Sequence, residues 1–154
     1  MTLTQRLAEL GLTLPSPAAP AGSYVPARPH GGLLHLSGHI PRRAGAVVTG
    51  RVGDDMDVET ARGLARQLAL ELVATAAQAA GGVDRLAGVV KLLVFVCSAP
   101  GFTQQPAVAN GASDQLVEIF GEGGRHARSA IGVAELPLGA AVEIEAIFAL
   151  EEDG

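Results

Sequence analysis

Tryptophan is missing from this chain of 154 residues, tyrosine occurs once and phenylalanine four times. The chain therefore has no aromatic platform on which bases could stack, which speaks against RNA recognition. Cysteine also occurs once, at Cys97. Neither an intrachain disulfide nor a thiolate metal cluster is open to such a chain. Cys97 ends an apolar run and reads as a buried, inert thiol. Charged residues make up only 18%, and the formal net charge is -5. A general nucleic-acid binder needs a basic surface to displace counterions, so nucleic acid is not expected as a partner. Arg42, Arg43 and Arg51 lie close in sequence and could form a local basic patch; a solvated loop is the simpler reading. No apolar stretch approaches the length of a membrane span, and no basic segment followed by an apolar one opens the chain. Together these absences point to a soluble, cytoplasmic protein without a membrane partner.

What is abundant is small and aliphatic. The chain is 48% hydrophobic, with 20 glycines. Its core must be built from Val, Leu, Ile and Ala, and the length suits one domain. Residues 4–10 form a short predicted helix closed by Gly11. Residues 14–29, rich in Pro and small side chains, read as an extended lead-in. Residues 33–37 read as a strand ending at Gly38, and residues 41–53 as a hairpin region with its second strand at 46–48. Asp57 is the expected N-cap of a long helix. Its buried stripe is Ala61, Leu64, Ala65, Leu68, Leu72, Ala76 and Ala79, and Gly81-Gly82 ends it. Residues 89–97 are apolar on both faces, apart from Lys91. Pro106 opens a second long helix with Val108, Ala112, Leu116, Ile119 and Phe120 inward. Strands over residues 129–134 and 141–150 complete a single α+β domain in the order ββ-α-β-α-ββ.

The segment from residue 124 to 148 carries the clearest chemistry. Arg128 opens an apolar run, and Leu136-Pro137 breaks it. Val142, Ile144, Ala146 and Phe148 then alternate with Glu143 and Glu145, the period-two pattern of a half-buried strand. A guanidinium at such a strand is a ready clamp for a carboxylate or phosphate, because its planar fork meets both oxygens. Ala130, Gly132 and Ala134 share the face of Arg128 and are expected to leave room beside it. The competing reading of Arg128 is a structural ion pair with Glu143 or Glu145.

The strand over residues 89–97 also argues for assembly. Two helices on one sheet face make a two-layer domain, whose other face should be polar. This strand has no polar face. The chain has nothing left to cover it, so the missing layer is most simply another copy.

Several stretches resemble the RidA family, also called the YjgF or L-PSP endoribonuclease family. They are Gly22-Ser23-Tyr24-Val25, Leu36-Ser37-Gly38-His39-Ile40-Pro41, Lys91-Leu92-Leu93-Val94-Phe95-Val96, and Ala127-Arg128-Ser129 through Leu136-Pro137 to Val142-Glu143-Ile144-Glu145-Ala146. They occur in the family's order. Val108-Ala109-Asn110-Gly111-Ala112-Ser113-Asp114 resembles a branch with a longer N-terminal extension, so the chain divides into an extension over residues 1–23 and a family domain over 24–151. The resemblance implies a chorismate-mutase-like α+β fold, a mixed sheet covered by two helices, and a homotrimer around a central barrel with clefts between subunits. It also implies metal-independent hydrolysis of reactive imines and enamines, such as 2-aminoacrylate, to 2-keto acids and ammonia, with no cofactor.

By the same resemblance Arg128 holds the substrate carboxylate and Glu143 helps position the hydrolytic water. Tyr24, Ser37, Gly38, Ser129, Ala130 and Asn110 would contact the substrate. The family's archetypes often carry Cys where this chain has Ala130, Glu where it has Gly132, and Gln where it has His39. A roomier, chemically different pocket is expected, and a non-catalytic trimeric binder of small carboxylates is the alternative; an endoribonuclease is the third reading. His30, His35, His39 and His126 lack partners at metal-ligand spacing, so no metal site is expected. His126 reads as a loop histidine, or as a proton shuttle beside Arg128.

Overall fold

The computed structural model describes residues 1–17, 19–20 and 22–152, so the expected extension over residues 1–23 is described except at positions 18 and 21. Helix α1 (Leu3–Glu9) starts at a capping box between Thr2 and Gln5. Leu7 enters the core. The backbone N–H and the hydroxyl of Thr4 both donate to the Asp84 carboxylate, at 2.9 and 2.8 Å. The first helix is thereby fastened to the turn that precedes the central strand.

Strands β1 (Ala27–His30) and β2 (Leu33–Leu36) form a hairpin. Its Gly31-Gly32 turn has φ of +58° and +76°, the pair of left-handed residues that a two-residue turn between twisted strands requires. The lead-in expected over residues 14–29 therefore ends in a strand. A minor hairpin of β3 (Arg42–Arg43) and β4 (Ala46–Val47) follows.

Helix α2 (Val58–Ala80) begins where Asp57 accepts the Thr60 N–H at 2.7 Å and ends at left-handed Gly81. Leu64, Leu68 and Leu72 are buried along it, each worth about 1.5–3 kcal/mol of burial. Ala79, expected in this stripe, is exposed; Ala77 and Ala80 carry the last turn against the core instead. Helix α3 (Gln105–Phe120) has Pro106 in its first turn. It packs on α2 so closely that Gly111 meets the backbone carbonyl of Arg62. Phe120 and Phe148 add a tilted ring contact at 6.0 Å between centroids.

The central strand β5 (Leu86–Cys97) pairs antiparallel with β7 (Val142–Leu150) and parallel with β6 (Ala127–Val133). The sheet order is β1-β2-β7-β5-β6, so β6 is one edge and the first hairpin the other. Leu92, Val94, Val96, Val142, Ile144 and Phe148 are fully buried beneath the helices. The other sheet face carries Leu93, Phe95 and Ile147, half-buried, and Ile131, 44% exposed, interspersed with Lys91, Ser129, Glu143 and Glu145. No described element lies over that face. Apart from Lys91, β5 is apolar on both sides, and one of those sides has no described element over it. No helix among the described residues is long and apolar enough to cross a membrane.

Candidate active site

Arg128 is the second residue of edge strand β6, opposite Leu92 on β5. Its side chain lies on the helix side. Nη1 donates to Asn110 Oδ1 at 2.8 Å and to Ser113 Oγ at 3.1 Å. Asn110 and Ser113 stand one turn apart on α3 and so face the same strand. No described residue accepts from Nε or Nη2, and no described carboxylate pairs with Arg128. The fork formed by Nε and Nη2 is the one suited to side-on, bidentate carboxylate binding.

Ser113 is held in turn. Its Oγ lies 2.9 Å from His126 Nε2, and His126 Nδ1 lies 2.6 Å from the Gly124 carbonyl. Burial lowers the His126 pKa below its ordinary 6.5, and the charge of Arg128 lowers it further, against the Gly124 bond that raises it. The ring is therefore neutral near pH 7. Ser129, by strand alternation, points to the opposite face from Arg128, beside Leu93. The Ala130 methyl packs against the core. The room expected at Gly132 is filled: a Cβ there would lie 2.7 Å from Gln105 Nε2 and 2.9 Å from Ser98 Oγ. A glutamate at this position would have to displace both.

A second group of expected residues gathers elsewhere. Tyr24, Ser37, Gly38 and Glu143 line one cavity of about 260 Å³, together with His39, Glu71, Pro137 and Leu138. Arg128 is not among its walls. Ser37 Oγ donates to the Val25 carbonyl at 2.7 Å, which ties the Ser37-Gly38 loop to the segment bearing Tyr24. Gly38 lies directly against Glu143; a Cβ there would sit 2.6 Å from Glu143 Oε1. Among the described residues nothing donates to the Glu143 carboxylate. Burial raises its pKa above the ordinary 4.5, and neighbouring Glu145 adds to the rise. A half-buried carboxyl held this way is suited to passing a proton in either direction.

His39 shapes this second group as His126 shapes the first. Its Nδ1 lies 2.9 Å from the Ser37 carbonyl and its Nε2 lies 2.9 Å from Thr75 Oγ1 on α2. Burial lowers its pKa below 6.5, against the Ser37 bond and the Glu71 charge that raise it. Among the described residues no group of three His, Cys, Asp or Glu side chains could hold a metal ion. Sequence reasoning did not reach Ser113, Thr75, Glu71 or Leu138. Ser113 carried a usable signal, standing three residues after Asn110 on a helix facing Arg128. Leu138 carried none: it is non-glycine at φ +58° and 72% exposed at the cavity rim.

The chain is 49% identical over 146 residues to Protein TCP17 of Trypanosoma cruzi, covering 94% of this chain and 91% of that one. It is 32% identical over 142 residues to a 2-iminobutanoate/2-iminopropanoate deaminase of Dermatophagoides farinae, covering 91% and 95%. The fold superposes on the crystal structure of Atu1372 from Agrobacterium tumefaciens, a protein of unknown function. That match has a TM-score of 0.86 and 42% identity, covering 98% of this chain and 94% of that one. The family model described as Endoribonuclease L-PSP matches residues 15–150, and with it Arg128, Glu143 and the cavity residues fall within the matched region. The chain belongs to this L-PSP family, the RidA/YjgF proteins.

Proposed function

We propose that the protein is a homotrimeric hydrolase of small 2-imino and enamino acids. Each site would form where the Arg128 group of one subunit meets the Tyr24, Ser37, Gly38 and Glu143 cavity of the next. One observation carries this reading. The free fork of Arg128 and the half-buried carboxyl of Glu143 belong to separate groups within one chain. A carboxylate and the imine carbon beside it need both groups within a few ångströms. A second copy brings them together, and the apolar side chains Leu93, Phe95, Ile131 and Ile147 on the open sheet face give that copy a surface to bury.

The chemistry asks for three things. Nε and Nη2 of Arg128 hold the substrate carboxylate. The Glu143 carboxyl gives its proton to the imine nitrogen, and an enamine first tautomerises to the imine. Water then adds to C2 while the carboxylate takes one of its protons. The resulting carbinolamine passes its hydroxyl proton by way of Glu143 to the amine. The C–N bond breaks, and 2-keto acid and ammonia leave. The raised pKa of Glu143 suits both transfers. The named activity of the mite relative, on 2-iminobutanoate and 2-iminopropanoate, supports the same substrate class.

The test is release of 2-keto acid and ammonia from enzymatically generated 2-aminoacrylate or 2-iminobutanoate, with semicarbazide competing for the imine. Acceleration by the wild-type protein and its loss in Arg128→Ala is the expected result. Arg128-dependent binding of 2-oxobutanoate without acceleration would instead identify a carboxylate-binding protein that does no chemistry.

A further inference from the structure

We propose that His126, acting through the Ser113 hydroxyl, is the positioning residue that sets the plane of the Arg128 guanidinium for its ligand. The inference rests on the carboxylate-binding reading of Arg128 and extends it to residues that touch no substrate.

The direction of every bond in the chain is forced. The Gly124 carbonyl only accepts, so the proton of neutral His126 sits on Nδ1 and is donated there, at 2.6 Å. Nε2 is then a bare acceptor. The Ser113 hydroxyl, 2.9 Å away, must point its one proton at it. With that proton committed, the lone pairs of Ser113 Oγ turn toward Arg128, whose Nη1 donates at 3.1 Å. The Asn110 carbonyl oxygen takes the other Nη1 proton at 2.8 Å. Two acceptors on one nitrogen fix the rotation of the planar group and leave Nε and Nη2 turned outward together.

Without Ser113, one bond to Asn110 would remain, and the guanidinium could turn about it. Without His126, the Ser113 proton would lose its partner and the hydroxyl would be free to rotate. The surroundings favour the neutral ring on which this order depends. Arg128 is the charged group set against His126 from β6. The Glu122 and Arg125 side chains of the preceding turn pair with each other at 3.0 Å, and α3 supplies neutral Ser113 and Asn110. The Ser37 loop is held by the same device at His39, where an imidazole again bridges the carbonyl two residues back and a helix hydroxyl. Both halves of the site thus rest on a neutral histidine.

The experiment compares wild type, Ser113→Ala, His126→Ala, His126→Gln and the double variant Ser113→Ala/His126→Ala. Imine hydrolysis gives kcat and KM, calorimetry gives 2-oxobutanoate affinity, and circular dichroism monitors the fold. Ser113→Ala keeps helix α3 intact, so it reports even if His126→Ala unfolds. Ser113→Ala and His126→Ala should each raise KM and the 2-oxobutanoate Kd about tenfold with kcat within about twofold, as expected for one lost positioning bond. The double variant should be no worse than either single one, because the two residues act in series. His126→Gln, whose side-chain oxygen can accept from Ser113, should recover most of the loss. Nitrogen-15 shifts of His126 should report a protonated Nδ1 and a bare Nε2. Unchanged KM and Kd in Ser113→Ala, with Arg128→Ala still inactive, would overturn the positioning role alone. Failure of Arg128→Ala to matter would overturn the reading on which it rests.

Discussion

Arg128 has two neutral acceptors and no described carboxylate partner, which makes its substitution easy to read. Arg128→Ala should leave the protein folded and cost about 2–5 kcal/mol in carboxylate binding, roughly thirtyfold to several thousandfold in kcat/KM. Arg128→Lys should lose most of this too, since an ammonium cannot reproduce the fork. Arg125→Ala, whose exposed side chain among the described residues pairs only with Glu122, serves as the silent control. Gly38 offers a second probe. A methyl there meets the tip of the Glu143 side chain and not backbone, so the carboxylate can swing aside. Gly38→Ala should therefore fold normally and lose about tenfold or more in kcat, through displaced proton transfer. The histidines add a pH signature. His39 and His126 have folded pKa values below the ordinary 6.5, so the unfolded chain binds more protons in the window beneath 6.5. Their contribution to stability should be level above that pH and fall as the pH drops through it toward the folded values. Thermal midpoints at pH 7.5, 6.5 and 5.5 measure this, and His39→Gln/His126→Gln should flatten the decline. A wild-type decline no steeper than that of His39→Gln/His126→Gln would contradict it.

The long elements were plain in the sequence because their signals are local. Asp57 and Gly81 bracket α2, Pro106 opens α3, and the alternation of Val142 to Phe148 against Glu143 and Glu145 gives β7 its two faces. The β1 strand was hidden by Pro29 and by its exposure, although Gly31-Gly32 announced its turn. Site residues followed a similar division. Arg128 and Glu143 stood out by their place in strongly patterned strands. The link from Arg128 through Ser113 to His126 joins a helix, a strand and a loop, and no spacing rule encodes a bond between elements. Gly132 misled for the same reason: a missing side chain looks like room until Gln105 and Ser98 are seen to fill it. Element packing gives its own prediction at Gly111, where α3 touches the Arg62 carbonyl of α2. Gly111→Ala adds a methyl that only helix separation can accommodate. It should destabilise the fold by about 1–3 kcal/mol despite the better helix propensity of alanine. Urea denaturation measures this, and an unchanged or raised midpoint would show that the helices part without cost.

At the scale of the molecule, two unfinished features complement each other. One sheet face exposes Ile131 beside half-buried Leu93, Phe95 and Ile147, and the candidate site is divided between the β6 edge and the cavity near the first hairpin. A closed assembly of identical copies would cover the first and complete the second. Sedimentation equilibrium should accordingly give three times the chain mass. Mass alone does not locate the site, but mixing two dead variants does. Arg128→Ala subunits keep an intact Glu143 cavity, and Glu143→Gln subunits keep an intact Arg128 fork. Each should be inactive alone. Co-expressed in equal amounts and assembled at random, they should place an intact fork beside an intact cavity at about a quarter of the interfaces. Roughly a quarter of wild-type activity should return, with the KM of wild type, because every restored site is chemically complete. A site lying within one chain would gain nothing from mixing, since every subunit would still carry one lesion. Activity that stays absent in verified mixed trimers would therefore refute the shared site while leaving the trimer itself in place.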